Sequence, residues 1–216
     1  MFPGNNSARG GQELEKVLGA QLSNWEKDSN NVLVSNKTRV SERSSISFPG
    51  EVYEESKVDL TSFWVYCRAN LIISALSKYK TESIWEVGAG DGRVAIPLSK
   101  AGIEVIASEP HYVGAMSLAK NDVLVFHADL SELKLKMNSV SALGIFDVLE
   151  HIEEVSGFLS EIHKILQHGA LLYITVPAHQ WLFSNHDLAL GHFRRYSRKS
   201  LIRELRDYGF RPVEVN

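Results

Sequence analysis

Ile84-Trp85-Glu86-Val87-Gly88-Ala89-Gly90-Asp91-Gly92-Arg93 decides the fold of this 216-residue chain. A short apolar run ends at Val87, three glycines follow at alternate positions, and a helical pattern begins at Arg93. Glycines between a strand and a helix let the backbone turn sharply and bring helix N-terminal amides close to a ligand. In an open α/β sheet such a turn lies at the carboxyl end of the strand, where ligands bind.

Strands and helices alternate outward from this turn. The strands Ser83–Val87, Glu104–Ala107, Val123–His127, Val140–Val148 and Ala170–Val176 are separated by helical patterns over Arg93–Lys100, His111–Lys120 and Glu153–Gln167. Gly169 reads as the stop signal of the last of these. A helix over Lys57–Tyr79, with Phe63, Trp64, Cys67, Leu71, Ala75 and Leu76 on its apolar side, precedes the sheet. Another, from about Ser200 to Tyr208, follows it and ends at Gly209. The alternation predicts a Rossmann-like, doubly wound, mostly parallel sheet with helices on both faces. Counting Ser83–Val87 as strand 1, the expected order is 3-2-1-4-5. Residues 51–216 form this domain. Residues 1–50 form an extension with one helical stripe (Leu14, Val17, Leu18, Leu22, Trp25) packed on the domain, with a separate binding module as the alternative, and Ser41–Gly50 reads as a linker.

The ligand follows from spacing and charge. The dinucleotide pattern G-x-G-x-x-G would place its third glycine at position 93, which is Arg93. The spacing here is G-x-G-x-G, and Glu86 precedes it. A carboxylate there repels a pyrophosphate and suits a cationic amino acid end, which favours S-adenosyl-L-methionine (SAM) over NAD. Glu109, 21 residues beyond Gly88 and just after the second strand, is placed for two ribose hydroxyls. Asp129, after the third strand, is placed for an adenine amino group, with a helix cap as its alternative role.

Composition narrows the partners. Lys plus Arg number 23 against 26 Asp plus Glu, which gives no global basic field for nucleic acid. A single cysteine, Cys67, excludes an intrachain disulfide and a Cys₄ metal site. The eight histidines show no H-E-x-x-H spacing. Neither a secretory signal nor an apolar run long enough to span a bilayer is evident, so a cytoplasmic location is expected.

Glu86–Arg93 resembles motif I of class I SAM-dependent methyltransferases, and Phe146-Asp147-Val148-Leu149-Glu150-His151-Ile152 resembles the D-V-L-E-H segment after their fourth strand. Asp187-Leu188-Ala189-Leu190-Gly191-His192-Phe193-Arg194-Arg195-Tyr196 is similar to the D-x-x-x-G-H-x-R-R-Y signature of a bacterial subgroup, as Phe63-Trp64 with Arg68 and Asn70 is to its F-W…R-x-N helix. The resemblance covers about Tyr53–Phe210. It implies methyl transfer from SAM to an oxygen or nitrogen of a small or glycosylated, sugar-containing metabolite. The implied cofactor-binding set is Glu86, Gly88, Ala89, Gly90, Asp91, Gly92, Glu109, Pro110, Asp129, Leu130, Phe146 and Arg68, with Phe63, Trp64 and Arg68 closing over the cofactor.

His151 is the first candidate for a general base and His192 the second. Asp147, Glu150 and His151 are alternatively a divalent-cation cluster, as in the similar ubiquinone-pathway O-methyltransferases, or Glu150 and His151 simply support the loop. No metal is required by the reading adopted. Arg194 and Arg195 either bind an acidic acceptor or pin a lid, and Trp181 and Phe183 wall the pocket. The alternative functions are a catalytically silent SAM-fold module that binds a protein and an NAD-dependent oxidoreductase. The family fold also carries an antiparallel strand 7 between strands 5 and 6. Here only the start of strand 6, in Phe210–Asn216, is expected, which leaves the edge of strand 5 open to pairing with another copy or to a continuation of the gene.

Overall fold

The structure is a computed structural model that describes residues 7–36, 48–49 and 62–215. At its centre lies β3 (Ser83–Val87), whose last four residues are buried. β4 (Glu104–Ser108) runs parallel to it on one side and β6 (Val140–Phe146) on the other. β5 (Leu124–Phe126) continues the sheet beyond β4 and β7 (Leu166–Thr175) beyond β6, both parallel. The order β5-β4-β3-β6-β7 is the doubly wound arrangement that the strand-helix alternation predicts.

Successive strand residues feed two cores. Trp85, Ile106, Phe126, Leu143 and Ile145 point to one face, where α1 (Ser7–Leu18), α6 (Val155–Ile165) and α8 (Arg198–Asp207) cover them. Ile84, Val105, Ala107, Val125 and Ala142 point to the other, under α2 (Phe63–Lys78), α3 (Ala95–Lys100) and α4 (Tyr112–Lys120). Both faces are dry, which is why these strands read as continuous apolar runs. The short α5 (Leu130–Leu133) and α7 (Asn185–Ala189) sit in the loops after β5 and β7.

Four expectations are corrected. The N-terminal stripe is not one helix. α1 ends at Leu18, a 3₁₀ turn spans Gly19–Asn24, and Trp25 opens a hairpin of β1 (Trp25–Lys27) and β2 (Leu33–Ser35). β2 joins the sheet beside β5 through Leu33 and Phe126, which makes seven strands among the described residues. Trp25 meets Phe126 edge-on at 5.1 Å, and Phe126 stacks on Trp85 at 5.8 Å. The hairpin turn is held by Asp28, whose Oδ1 accepts from the amides of Asn30 and Val32. Asp28 and Asn30 also bond the hydroxyl of Tyr112 on α4.

The apolar side of α2 is Val65, Ala69, Ile72 and Leu76, a complete helical stripe. Phe63 and Trp64, expected on that side, are 80% and 69% exposed, and Leu71 is exposed as well. Residues 57–61 of the expected helix, and most of the expected linker, lie outside the described residues. Gly169 does not stop α6. β7 begins at Leu166 directly after Ile165, and Gly169, at φ 80°, lies in the irregular register between Val140↔Leu166 and Ala142↔Leu171. Finally, residues 210–215 form no ladder. Glu214 instead accepts hydrogen bonds from Lys78 Nζ (2.8 Å) and the Tyr79 hydroxyl (3.0 Å) at the end of α2.

Leu14, Val17 and Leu18 are buried in the same core as β3 and β6. Replacing Leu18 by Ala should therefore destabilise the whole domain by about 2–5 kcal/mol, in a single urea transition. An unchanged main transition would show that the extension folds apart from the sheet.

Candidate functional site

The carboxyl ends of β3, β4, β5 and β6 converge on the glycine turn. Gly88, Gly90 and Gly92 have φ of 70°, 60° and 96°, conformations that side-chain-bearing residues rarely adopt. The amides of Gly88 and Ala89 both donate to Ser108 O, at 2.9 and 3.1 Å, and tie the turn to the end of β4. Glu109 completes the tie. Its Oε2 accepts from Gly90 N at 2.7 Å and its Oε1 from His111 N at 2.8 Å. Each oxygen keeps a further lone pair for a ligand. Gly114, which the motif reading missed, lets α4 press against the turn, because a Cβ there would lie 2.7 Å from Gly90 O.

Charge at the turn is unbalanced. Glu86 is buried, and its Oε2 has no hydrogen-bond partner among the described residues. Burial pushes its pKa up to about 8, the positive field of Arg68 opposes the shift, and Glu109 reinforces it. Glu109 is also pushed up to about 8 by burial, against the pull of its two amides. Asp91 is buried, holds Arg93 Nε at 3.2 Å and offers its carbonyl to Ser117.

On the far side of β4, Asp129 caps α5 in a reciprocal box with Glu132, so its cap role is real. Leu130 is buried beside it. The Pro110 carbonyl accepts from His127 Nε2 at 3.0 Å, which joins the Glu109–Pro110 loop to the Asp129–Leu130 turn.

Beyond β6 the chain builds a second cluster. Phe146 is buried at the strand end. Asp147 (φ 56°) is engaged by Arg68 Nη1 at 2.8 Å and by the Thr175 hydroxyl at 2.9 Å. Arg68 Nη2 also donates to Thr175 at 3.0 Å. Arg68 thus clamps the ends of β6 and β7 and acts on Glu86 through its field. The trio that the structure brings together is Glu150, His151 and His192, with one ligand atom of each within 4.8 Å of the others, and Asp147 is not part of it.

Glu150 is buried, with Oε2 unpartnered among the described residues, and burial followed by repulsion from Asp147 pushes its pKa up to about 9. His151 is pushed down to about 4 by burial and then by His192. The two imidazoles meet edge-on at 4.5 Å. His192 is oriented from behind, its Nδ1 lying 2.9 Å from Asp187 Oδ1. Asp187 is 0% exposed and held well below the usual carboxylate range by Arg195, with His192 and Ser184 assisting. Arg195 is bidentate to it, at 2.7 and 2.9 Å, and Arg194 donates to Glu153 O at 2.7 Å. Arg195 therefore pins the segment after β7, as the lid-pinning alternative requires.

Two aromatic expectations change. Trp181 is 79% exposed, so it does not wall the crevice, and Phe63 and Trp64 project into solvent. The ring that stands beside His151 and His111 is Phe48, which composition places in a linker. It lies edge-on to His151 at 5.3 Å and to His111 at 6.2 Å. An isolated aromatic in a polar stretch carries no periodic signal, so only the fold reveals it.

Comparison with known proteins agrees with this geometry. Two Mycobacterium tuberculosis proteins, each described as a probable S-adenosylmethionine-dependent methyltransferase, are 25% identical over 163 residues, 73% of this chain. The chain covers 59% of the length of these curated relatives. The Burkholderia thailandensis 1,6-didemethyltoxoflavin-N1-methyltransferase, solved with bound 1,6-didemethyltoxoflavin and S-adenosylhomocysteine, superposes with a TM-score of 0.57 at 21% identity, over 76% of this chain and 75% of that one. A Thermotoga maritima SAM-dependent methyltransferase gives 0.53 at 23% identity, over 68% and 76%. At these identities the solved structures share the fold. Residues 64–215 match the methyltransferase domain family, and the chain belongs to that family.

Proposed function

We propose that this chain is a SAM-dependent methyltransferase acting on an oxygen or nitrogen of a small or glycosylated metabolite. The observation that carries the reading is Glu86, a buried carboxyl with an oxygen unpartnered among the described residues, just before a turn whose Gly88, Gly90 and Gly92 all hold positive φ. A buried acid without a partner is costly, and a cationic ligand group satisfies it. The M. tuberculosis relatives' descriptions support the same cofactor.

Bound SAM supplies a methyl group on a sulfonium. The residues then divide the work. Glu86 receives the amino end of the methionine moiety, Glu109 the ribose hydroxyls and Asp129 the adenine amino group. Gly88–Gly92, with Ala89 and Asp91, give the backbone its close approach, and Pro110, Leu130 and Phe146 line the crevice. Arg68 sets the field at Glu86 and holds the strand ends. In-line displacement depends chiefly on alignment and exclusion of water. His151 is neutral above pH 4 or so and takes the proton of the acceptor's O–H or N–H. His192, oriented by Asp187, is the second candidate for that proton. Glu150, with a pKa near 9, is protonated at neutral pH and donates a hydrogen bond.

The donor atoms of Glu150, His151 and His192 favour a second reading, a divalent cation that orients the acceptor. Radiolabelled methyl transfer from SAM into a lysate fraction separates the two. Survival of transfer in a chelator supports the base, and loss that one added divalent cation restores supports the metal. The proposal also includes pairing of two copies along the outer edge of β7, which no strand among the described residues covers.

Gly90→Val should abolish SAM binding, with a lowered melting temperature because a β-branched residue is strained at φ 60°, and Glu109→Ala should weaken binding by about 1.5–3 kcal/mol. Isothermal titration checks both, and undiminished affinity in Gly90→Val would end the cofactor-loop assignment.

The pH dependence has a definite sign. Burial keeps Glu86 protonated up to about pH 8, whereas a cationic ligand is held by its ionised form. Binding must expel that proton, so SAM affinity should rise from roughly pH 6 toward 8, by up to about tenfold per unit, and turn over above that as the ligand's own α-amino group, ordinarily at about pH 8, loses its charge. Titrations in buffers of different ionisation enthalpy would register the released proton. Affinity independent of pH in this window would refute a protonated Glu86.

A further inference from the structure

Phe48 is absent from every motif in the sequence, yet its ring lies between His111 and His151. The sheet order is β4-β3-β6. His111 opens α4 after β4, and His151 follows β6. A ring that neighbours both lies between the segments that follow β4 and β6. It packs against the core that contains Val148, Leu149 and Ile152. On its cofactor side stands the Glu109–His111 loop, whose carboxylate holds the turn. On its other side stand His151 and, 4.5 Å beyond it, His192. Phe48 is thus the one side chain among the described residues whose ring contacts join the two halves of the site.

Two further features suit a fixed role. Pro49 follows directly, and a residue before proline is confined to extended conformations, so little backbone freedom is lost in placing the ring. The preceding part of the extension is anchored nearby, because Asp28 and Asn30 bond Tyr112, the neighbour of His111.

We propose that Phe48 is a positioning residue of the methyl-transfer chamber, its ring closing the space between the Glu109–His111 loop and the imidazoles of His151 and His192. The inference rests on the SAM reading above and assigns to the N-terminal extension a part in the reaction. A methyl group leaving a sulfonium carries positive charge toward the acceptor, and competing water must be kept out of the line of attack. An aromatic wall excludes that water without offering a hydrogen bond or a nucleophile, and its π-face is compatible with the passing charge.

The test uses the full chain with SAM carrying ¹³C in its S-methyl group. A ¹³C-filtered NOE experiment reads which ring protons lie beside that methyl, with the Phe48 ring assigned through bonds in the wild-type protein. Cross-peaks from the S-methyl to Phe48 are expected. They should vanish in Phe48→Leu while SAM stays bound, and Phe48→Ala should weaken SAM about five- to tenfold by isothermal titration. A wild-type protein that binds SAM and shows no cross-peak to Phe48 overturns the inference and leaves the cofactor reading standing. A wild-type protein that does not bind SAM overturns the cofactor reading itself. The wild-type cross-peak does not depend on whether either variant folds.

Discussion

The site depends on one carboxylate, Glu109, holding two backbone amides across the gap between neighbouring strands. Gly90 N at 2.7 Å fixes the turn after β3, and His111 N at 2.8 Å fixes the entry to α4. These are charge-assisted bonds when Glu109 is ionised, and the acid holding them is buried. Gly114 is the steric counterpart, since any side chain there would push α4 off the turn. The crevice inherits its shape from this junction. The Glu109–Pro110 loop reaches Asp129 and Leu130 through His127, while the turn itself faces the segment after β6.

Around that junction the protein gathers more buried acid than it neutralises. Glu86, Glu109 and Glu150 are all pushed well above ordinary carboxyl pKa values, chiefly by burial. Arg68, with Asp147 and Thr175 as its direct partners, acts on Glu86 and Glu150 through its field. Asp187 shows the contrasting arrangement, a fully buried acid matched by Arg195 and His192 and held low. One acid is finished by the fold, and Glu86 and Glu150 each leave a buried oxygen without a partner among the described residues. Groups that a fold buries and does not satisfy mark where a ligand completes the structure.

The sheet order, the glycine turn and the acids at 86, 109 and 129 were legible in the sequence because each lies on a buried, uninterrupted strand or immediately after one. Elements that lack such periodicity were not. β1 and β2 are three residues each, too short to show alternation, and Trp25 appears helical only because it follows Leu22 at a helical interval. On α2, large aromatics at 63 and 64 suggest a buried face that small and branched residues at 65, 69 and 72 in fact provide. Gly169, inside β7, reads as a helix stop because the irregular register it serves has no local signature. In the cluster of possible cation ligands, His192 stands where Asp147 was expected, for a similar reason. Proximity in sequence groups Asp147 with Glu150 and His151, whereas the fold brings His192 from the segment after β7.

The central claim is that the buried carboxylate of Glu86 is completed by the cationic end of SAM. Isothermal titration of SAM into the wild-type chain and into Glu86→Gln tests it most directly, because the amide keeps the shape and removes the charge. The predicted result is clear binding by the wild type and affinity weaker by about 1.5–3 kcal/mol in the variant, roughly ten- to a hundredfold. Equal affinity in the two proteins, or no binding by the wild type, would contradict it.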